Sequence, residues 1–209
     1  MKTIASIATA KGTAGIGVIR ISGEKAKSIA DKIFKPVNGK TLSQTPGYKA
    51  SFGKIIENGE EIDEGIALVF NSPNSYTGED VVEISCHGGI YITKRVLRAI
   101  LNAGAFISEP GEFTKRAFLN GKIGLTQAES VMDIISAKGK QAARSALSNM
   151  EGALYKKIRD INNDLVELAA HLSAWADYPE EDIPHNPPRI RTVLRDRPQI
   201  PACSPPYRY

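Results

Sequence analysis

The spacing of apolar residues changes near residue 120, and that change limits what the chain can fold into. In the first ~120 residues, short strand-like runs alternate with short helical ones. Further on, Leu147, Met150, Leu154, Ile158, Ile161, Leu165, Leu168 and Leu172 recur at steps of three and four. Such steps draw one apolar seam along a helix. The seam predicts a long helix from about Gln141 to Asp177. A seam of that length needs partner helices, and only one shorter helix precedes it. Either further helices or another subunit must cover it.

The front part reads as α+β. Strands are expected at 3–8, 16–21, 48–56, 65–70, 80–85 and 105–108. Between Glu24 and Phe34, the residues Ala26, Ile29, Ala30, Ile33 and Phe34 share one helical stripe. Further helices are expected at about Ile90 to Asn102 and Glu112 to Leu119, the latter stopped by Asn120-Gly121. Thr126-Gln-Ala-Glu129 has the form of a capping box, so a helix should start there and run to about Lys138.

The chain changes again after Tyr178-Pro-Glu-Glu-Asp-Ile-Pro184. Eight of the 12 prolines lie in 179–209, and the last 25 residues hold five Arg and no Lys. The segment 179–209 reads as a Pro/Arg-rich tail, disordered or produced by a reading-frame change. Residues 185–209 carry the whole formal charge of +4, because residues 1–184 hold 22 basic and 22 acidic side chains. The charge therefore does not argue for nucleic acid binding by the folded part. The basic run Lys138, Lys140, Arg144, Lys156, Lys157 and Arg159 has no interleaved aromatics, so a solvated face is the simpler reading. No apolar run is long enough to span a bilayer. Two cysteines, Cys86 and Cys203, make no disulfide framework, which suits a reducing cytoplasm.

Several motifs invite a chemical reading. Gly39-Lys40-Thr41 lacks the upstream glycine of a phosphate loop, since Phe34 stands there, so it reads as a plain loop. Gly12-Thr-Ala-Gly15-Ile-Gly17 precedes a strand rather than a helix, against a dinucleotide fingerprint. Its glycines are better explained by close approach to a ligand or to neighbouring backbone. Cys86 and His87 are too few for a zinc site. As neighbours on a strand they should point to opposite faces, which argues against a nucleophile–base pair. Neither a metal site nor a catalytic residue is nominated. Arg20 alternates with Ile19 and Ile21 on its strand. Glu83 sits in the apolar run Val81-Val-Glu-Ile84, where a buried carboxylate is costly without a partner. It faces water or binds something specific, and a carboxylate can accept from an amino group and an adjacent ring N–H together. Lys122 follows the Asn120-Gly121 turn, within reach of a ligand or simply at the surface.

Four blocks occur in order: Gly17-Val-Ile-Arg-Ile-Ser-Gly23, Asn74-Ser-Tyr-Thr-Gly-Glu-Asp80, Val82-Glu-Ile-Ser-Cys-His-Gly-Gly89 and Pro110-Gly-Glu-Phe-Thr-Lys-Arg-Ala-Phe-Leu-Asn-Gly-Lys122. Together they resemble the front end of the bacterial tRNA-modification GTPases (MnmE, also called TrmE). The likeness covers roughly residues 1–184, with Gly124 standing where that family usually has Asp. The resemblance implies a folate-enzyme-like domain over 1–120 that dimerises and binds a tetrahydrofolate derivative. The first part of a helical domain would follow over 121–178. It implies Arg20, Glu83 and Lys122 as cofactor-binding residues. In the complete family, GTP with Mg and K serves an inserted GTPase domain. A flavin-dependent partner protein joins in modifying the wobble uridine of tRNA, in the cytoplasm and with no membrane involved. No GTPase motif follows here, so the chain is expected to be a fragment inactive in GTP hydrolysis. A purely structural dimerisation module and a stand-alone one-carbon transferase are the alternatives.

Overall fold

The computed structural model describes residues 1–10 and 12–177. The expectations for the 179–209 tail and Cys203 lie outside the described residues. The chain divides into two compact units after Met150.

The first unit is built on seven strands: Ile4–Ile7 (β1), Ile16–Ser22 (β2), Phe34–Pro36 (β3), Lys49–Glu57 (β4), Glu60–Phe70 (β5), Val81–His87 (β6) and Phe106–Ile107 (β7). They form one sheet in the order β3-β4-β5-β6-β2-β1-β7. Every neighbouring pair is antiparallel except β1 with β7. Helices Ala26–Ile33 (α1) and Ile90–Asn102 (α2) connect strands, and Glu112–Leu119 (α3), Leu125–Ser136 (α4) and Lys140–Met150 (α5) follow the last one. The fold is the expected α+β arrangement, followed along the chain by helices.

Strand alternation decides which face is covered. Ile19 and Ile21 of β2, Val82, Ile84 and Cys86 of β6, and Ala67 and Val69 of β5 are all buried. They pack with Ile29, Ala30 and Ile33 of α1 and Val96, Ala99 and Ile100 of α2 into one core. The opposite face carries the intervening residues. There Ile66 and Phe52 sit opposite one another on β5 and β4, and both are exposed. The sheet is thus covered by α1 and α2 on one side only. Toward one end of the open side, Ser22 and Val81 are buried, as is Thr77 of the 71–80 loop that joins β5 to β6.

The loop before β2 packs its backbone against Gly88, although a Cβ on Gly12 or Gly15 would meet nothing within 4 Å. The Ala14 amide donates to the Gly88 carbonyl at 3.0 Å, and the Gly88 amide to Gly15 at 3.3 Å. A Cβ on Gly88 would lie 2.5 Å from the Ala14 carbonyl oxygen, so only glycine fits there. Gly89 caps the start of α2.

Two sequence expectations are corrected. α4 starts at Leu125 with Gly124 as its N-cap, so Thr126 lies inside the helix. Gln127, not Glu129, reaches back, accepting from the Gly124 amide at 2.8 Å. The Thr126 hydroxyl is buried without a hydrogen-bond partner among the described residues. Glycine supplies no capping oxygen, so only half of the box forms. The expected long helix is also two helices. α5 ends at Met150, and Ala153–Asp177 (α6) begins after Gly152, which holds a φ of 81°. That left-handed conformation favours glycine and ends an α-helix. The seam is therefore split, with Ile158, Ile161, Leu165 and Leu172 exposed on α6 in the second unit.

Gly124 has φ −78° and ψ 166°, an extended conformation open to any N-cap residue. Gly124→Asp is expected to supply the missing capping oxygen and to stabilise the chain by about 0.3 kcal/mol. Thermal unfolding should show a small rise in Tm; an unchanged or lower Tm would contradict the assignment of this cap.

Candidate functional site

Arg20 and Glu83 are Cα partners in the β2–β6 register, directly opposite one another on the open face. Arg20 Nε donates to Glu83 Oε1 at 2.7 Å. Their side chains retain 29% and 23% of full exposure. A pair this wet contributes about 1 kcal/mol or less to stability. Its placement says more than its energy: it puts a carboxylate and a guanidinium together on the open face of the sheet.

Two aromatic rings flank the arginine. The Arg20 guanidinium carbon lies 5.6 Å from the ring centroid of Tyr76 and 5.6 Å from that of Phe113. Both distances suit cation–π attraction. Tyr76 comes from the 71–80 loop and Phe113 from α3. The Tyr76 hydroxyl and the Thr114 hydroxyl are 2.9 Å apart, so the ring is tethered at its tip as well.

Beside these rings opens a groove of about 860 Å³. Arg20, Tyr76, Phe113 and Phe118 line it, together with Leu125 and Met132 of α4. Glu83 and Lys122 do not line it. Lys122 Nζ donates to the Pro73 carbonyl at 3.0 Å. A Cβ on Gly78, which has a φ of 77°, would lie 3.2 Å from Lys122 Cγ. The structure therefore joins Arg20 to Glu83 directly. Lys122 grips the same loop that carries Tyr76.

Sequence reasoning missed Tyr76 and Phe113. The available signal was an aromatic inside the Ser-, Asn- and Gly-rich loop block and another in the first turn after Pro110-Gly111. Neither position says which face it takes until the loop and α3 are brought together.

Cys86 and His87 separate as strand alternation requires. Cys86 is buried in the core, and burial pushes its thiol up to about 11. It is therefore protonated and a poor nucleophile at neutral pH. His87 is exposed and pairs with Asp63 instead, Nδ1 to Oδ1 at 2.6 Å, while its own amide donates to Oδ2 at 2.8 Å. The hydrogen bond and the charge of Asp63 raise the His87 pKa above 6.5, with Glu64 adding to the shift. A raised folded pKa means that this stabilisation is complete below the unfolded value of about 6.5 and is lost as pH rises through the folded value. Asp63→Asn is expected to flatten the stability profile over that window, as followed by urea unfolding at stepped pH. A slope identical to that of the parent chain would contradict the pairing.

Comparison with known proteins agrees with this architecture. Residues 3–122 match the family described as the GTP-binding protein TrmE N-terminus, and residues 125–196 match the MnmE helical domain. The chain is 50% identical over 183 residues to the tRNA modification GTPase MnmE of Clostridioides difficile (strain 630), covering 88% of this chain and 40% of that protein. It is 49% identical to the protein of the same name from Alkaliphilus oremlandii (strain OhILAs), covering 87% and 40%. With that from Symbiobacterium thermophilum the identity is 47%, again covering 87% and 40%. The chain thus spans about two fifths of the length of the curated relatives it matches. On the strength of the N-terminal match and of these relatives, the chain belongs to the tRNA-modification GTPase family MnmE/TrmE.

Proposed function

We propose that the sheet domain of this chain binds a tetrahydrofolate derivative at the open face around Arg20 and Glu83. The observation that carries this reading is the placement of that pair beside a groove walled by Tyr76, Phe113 and Phe118. The donor set fits such a ligand. Glu83 offers a carboxylate to an amino group and a neighbouring ring N–H, which it can accept from together. Arg20 and the two rings beside it offer a charged, aromatic-walled place for a planar group. Lys122, on the far side of the loop, would hold a carbonyl or carboxylate if it released Pro73. When bound, the folate supplies a one-carbon unit. The residues of this chain bind and orient it, and none is assigned a proton transfer.

On this reading, residues 1–120 form the folate-binding and dimerising domain, and 121–178 begin the helical domain. The complete protein modifies the wobble uridine of tRNA in the cytoplasm, with a flavin-dependent partner. GTP hydrolysis with Mg and K belongs to a GTPase domain of that complete protein. Among the described residues, no helix is long and apolar enough to cross a membrane. The open sheet face, with Phe52 and Ile66 exposed, supports a homodimer through this domain.

A purely structural dimerisation module is the second reading. The Arg20–Glu83 pair favours it to one extent, because the two charges already satisfy each other. Calorimetric titration with tetrahydrofolate separates the two readings. The parent chain should bind, and Glu83→Ala should bind at least about tenfold more weakly, the cost of one charge-assisted hydrogen-bonding group. A dimer by light scattering that takes up no tetrahydrofolate would favour the structural module.

A further inference from the structure

An arginine buried to 6% of its side-chain exposure is costly unless its charge and its donors are matched. Arg116 of α3 is matched twice. Its Nη1 lies 3.2 and 3.1 Å from the two carboxylate oxygens of Glu79. Its Nη2 donates to Glu112 Oε1 at 2.9 Å, one turn back on the same helix. Burial pushes the Glu112 carboxyl up, but the Glu109 amide and Arg116 outweigh that and hold it below the usual carboxylate range.

Glu79 belongs to the loop that carries Tyr76, and it extends the network to the sheet. The Ser22 hydroxyl donates to Glu79 Oε2 at 2.7 Å and shares a 2.7 Å bond with the Thr77 hydroxyl. Ser22 is two residues from Arg20, on the same face of β2. Asn120 Nδ2 donates to the Thr77 carbonyl at 2.7 Å, just beyond α3. Arg116 thus sits where three elements meet: the loop with Tyr76, the helix with Phe113, and the strand with Arg20. Arg116 itself does not line the groove beside Arg20.

We propose that Arg116 is a positioning residue for the Arg20 site: by tying Glu79 to α3 it fixes both flanking rings against the Arg20 guanidinium, without touching a ligand. That this placement serves ligand binding rests on the reading of the open face given above. The fork geometry is the reason for arginine here. One planar guanidinium serves two carboxylates in two directions, which a lysine ammonium does only as a point charge.

The test uses the full chain with Arg116→Lys, which keeps the charge and loses the fork, and Glu79→Gln, which keeps the shape and loses the charge. The Nε–H resonance of Arg20, assigned by its absence in Arg20→Lys, reports the two flanking rings through their ring currents. Tyr76→Leu gives its value with one ring removed. Both variants are expected to unfold cooperatively, to move the Arg20 resonance toward its Tyr76→Leu value, and to bind tetrahydrofolate about tenfold more weakly. An Arg20 resonance that stays at its parent position in a folded variant overturns the proposal, whatever happens to binding. If Arg116→Lys does not fold, Glu79→Gln decides alone. A parent chain that takes up no tetrahydrofolate, with the resonance still moved in the variants, overturns the folate reading and leaves the positioning role standing.

Discussion

The structure depends on the register of β2 against β6. Seven consecutive residues pair without a slip, from Ile16 opposite His87 to Ser22 opposite Val81. Side chains on a strand alternate, so this one register makes two decisions. It sends Ile19, Ile21, Val82 and Ile84 into the core beneath α1 and α2. It also sets Arg20 against Glu83 on the other side. A slip of one residue would turn one strand over against the other, burying its charge and exposing its two aliphatics. The core therefore enforces the site: about 1.5–3 kcal/mol for each buried aliphatic side chain holds in place a pair that contributes little by itself.

What the sheet leaves imprecise, the loop and α3 define. A strand pair fixes the positions of Arg20 and Glu83, but it provides no walls. The walls come from Tyr76 and Phe113, which lie on separate elements far apart in sequence. Four side chains of α3 and its C-terminal turn grip the loop: Thr114, Arg116, Asn120 and Lys122. This is how the 71–80 loop comes to hold an aromatic ring in one place. The buried polar cluster at its centre is satisfied on every side that the structure describes, as a buried charge must be.

Much of this could be read from the chain alone, for physical reasons. Strand and helix periods are local, so the positions of β2, β6, α2 and α3 followed from the alternation and the stop signals. The pairing of Arg20 with Glu83 was not legible, because it depends on the register of two strands whose paired residues lie 63 positions apart in sequence. Two helix ends were misjudged on local rules. Thr126 has the chemistry of a cap, but Gly124 takes that position and Gln127 supplies the reaching-back contact. The seam from Leu147 to Leu172 keeps its period across Gly152, so periodicity could not show that a left-handed glycine divides it. Tyr76, Phe113 and Arg116 were visible only as letters inside recognisable blocks. Their roles arise from the meeting of the loop with α3, which no local pattern encodes.

The most direct test of the account is a crystal structure of this chain with tetrahydrofolate. The account predicts the pterin amino group and adjacent ring N–H on the Glu83 carboxylate, with Arg20 displaced from Oε1 and still between Tyr76 and Phe113. Tetrahydrofolate bound elsewhere, with the Arg20–Glu83 pair intact at its present 2.7 Å, would contradict it.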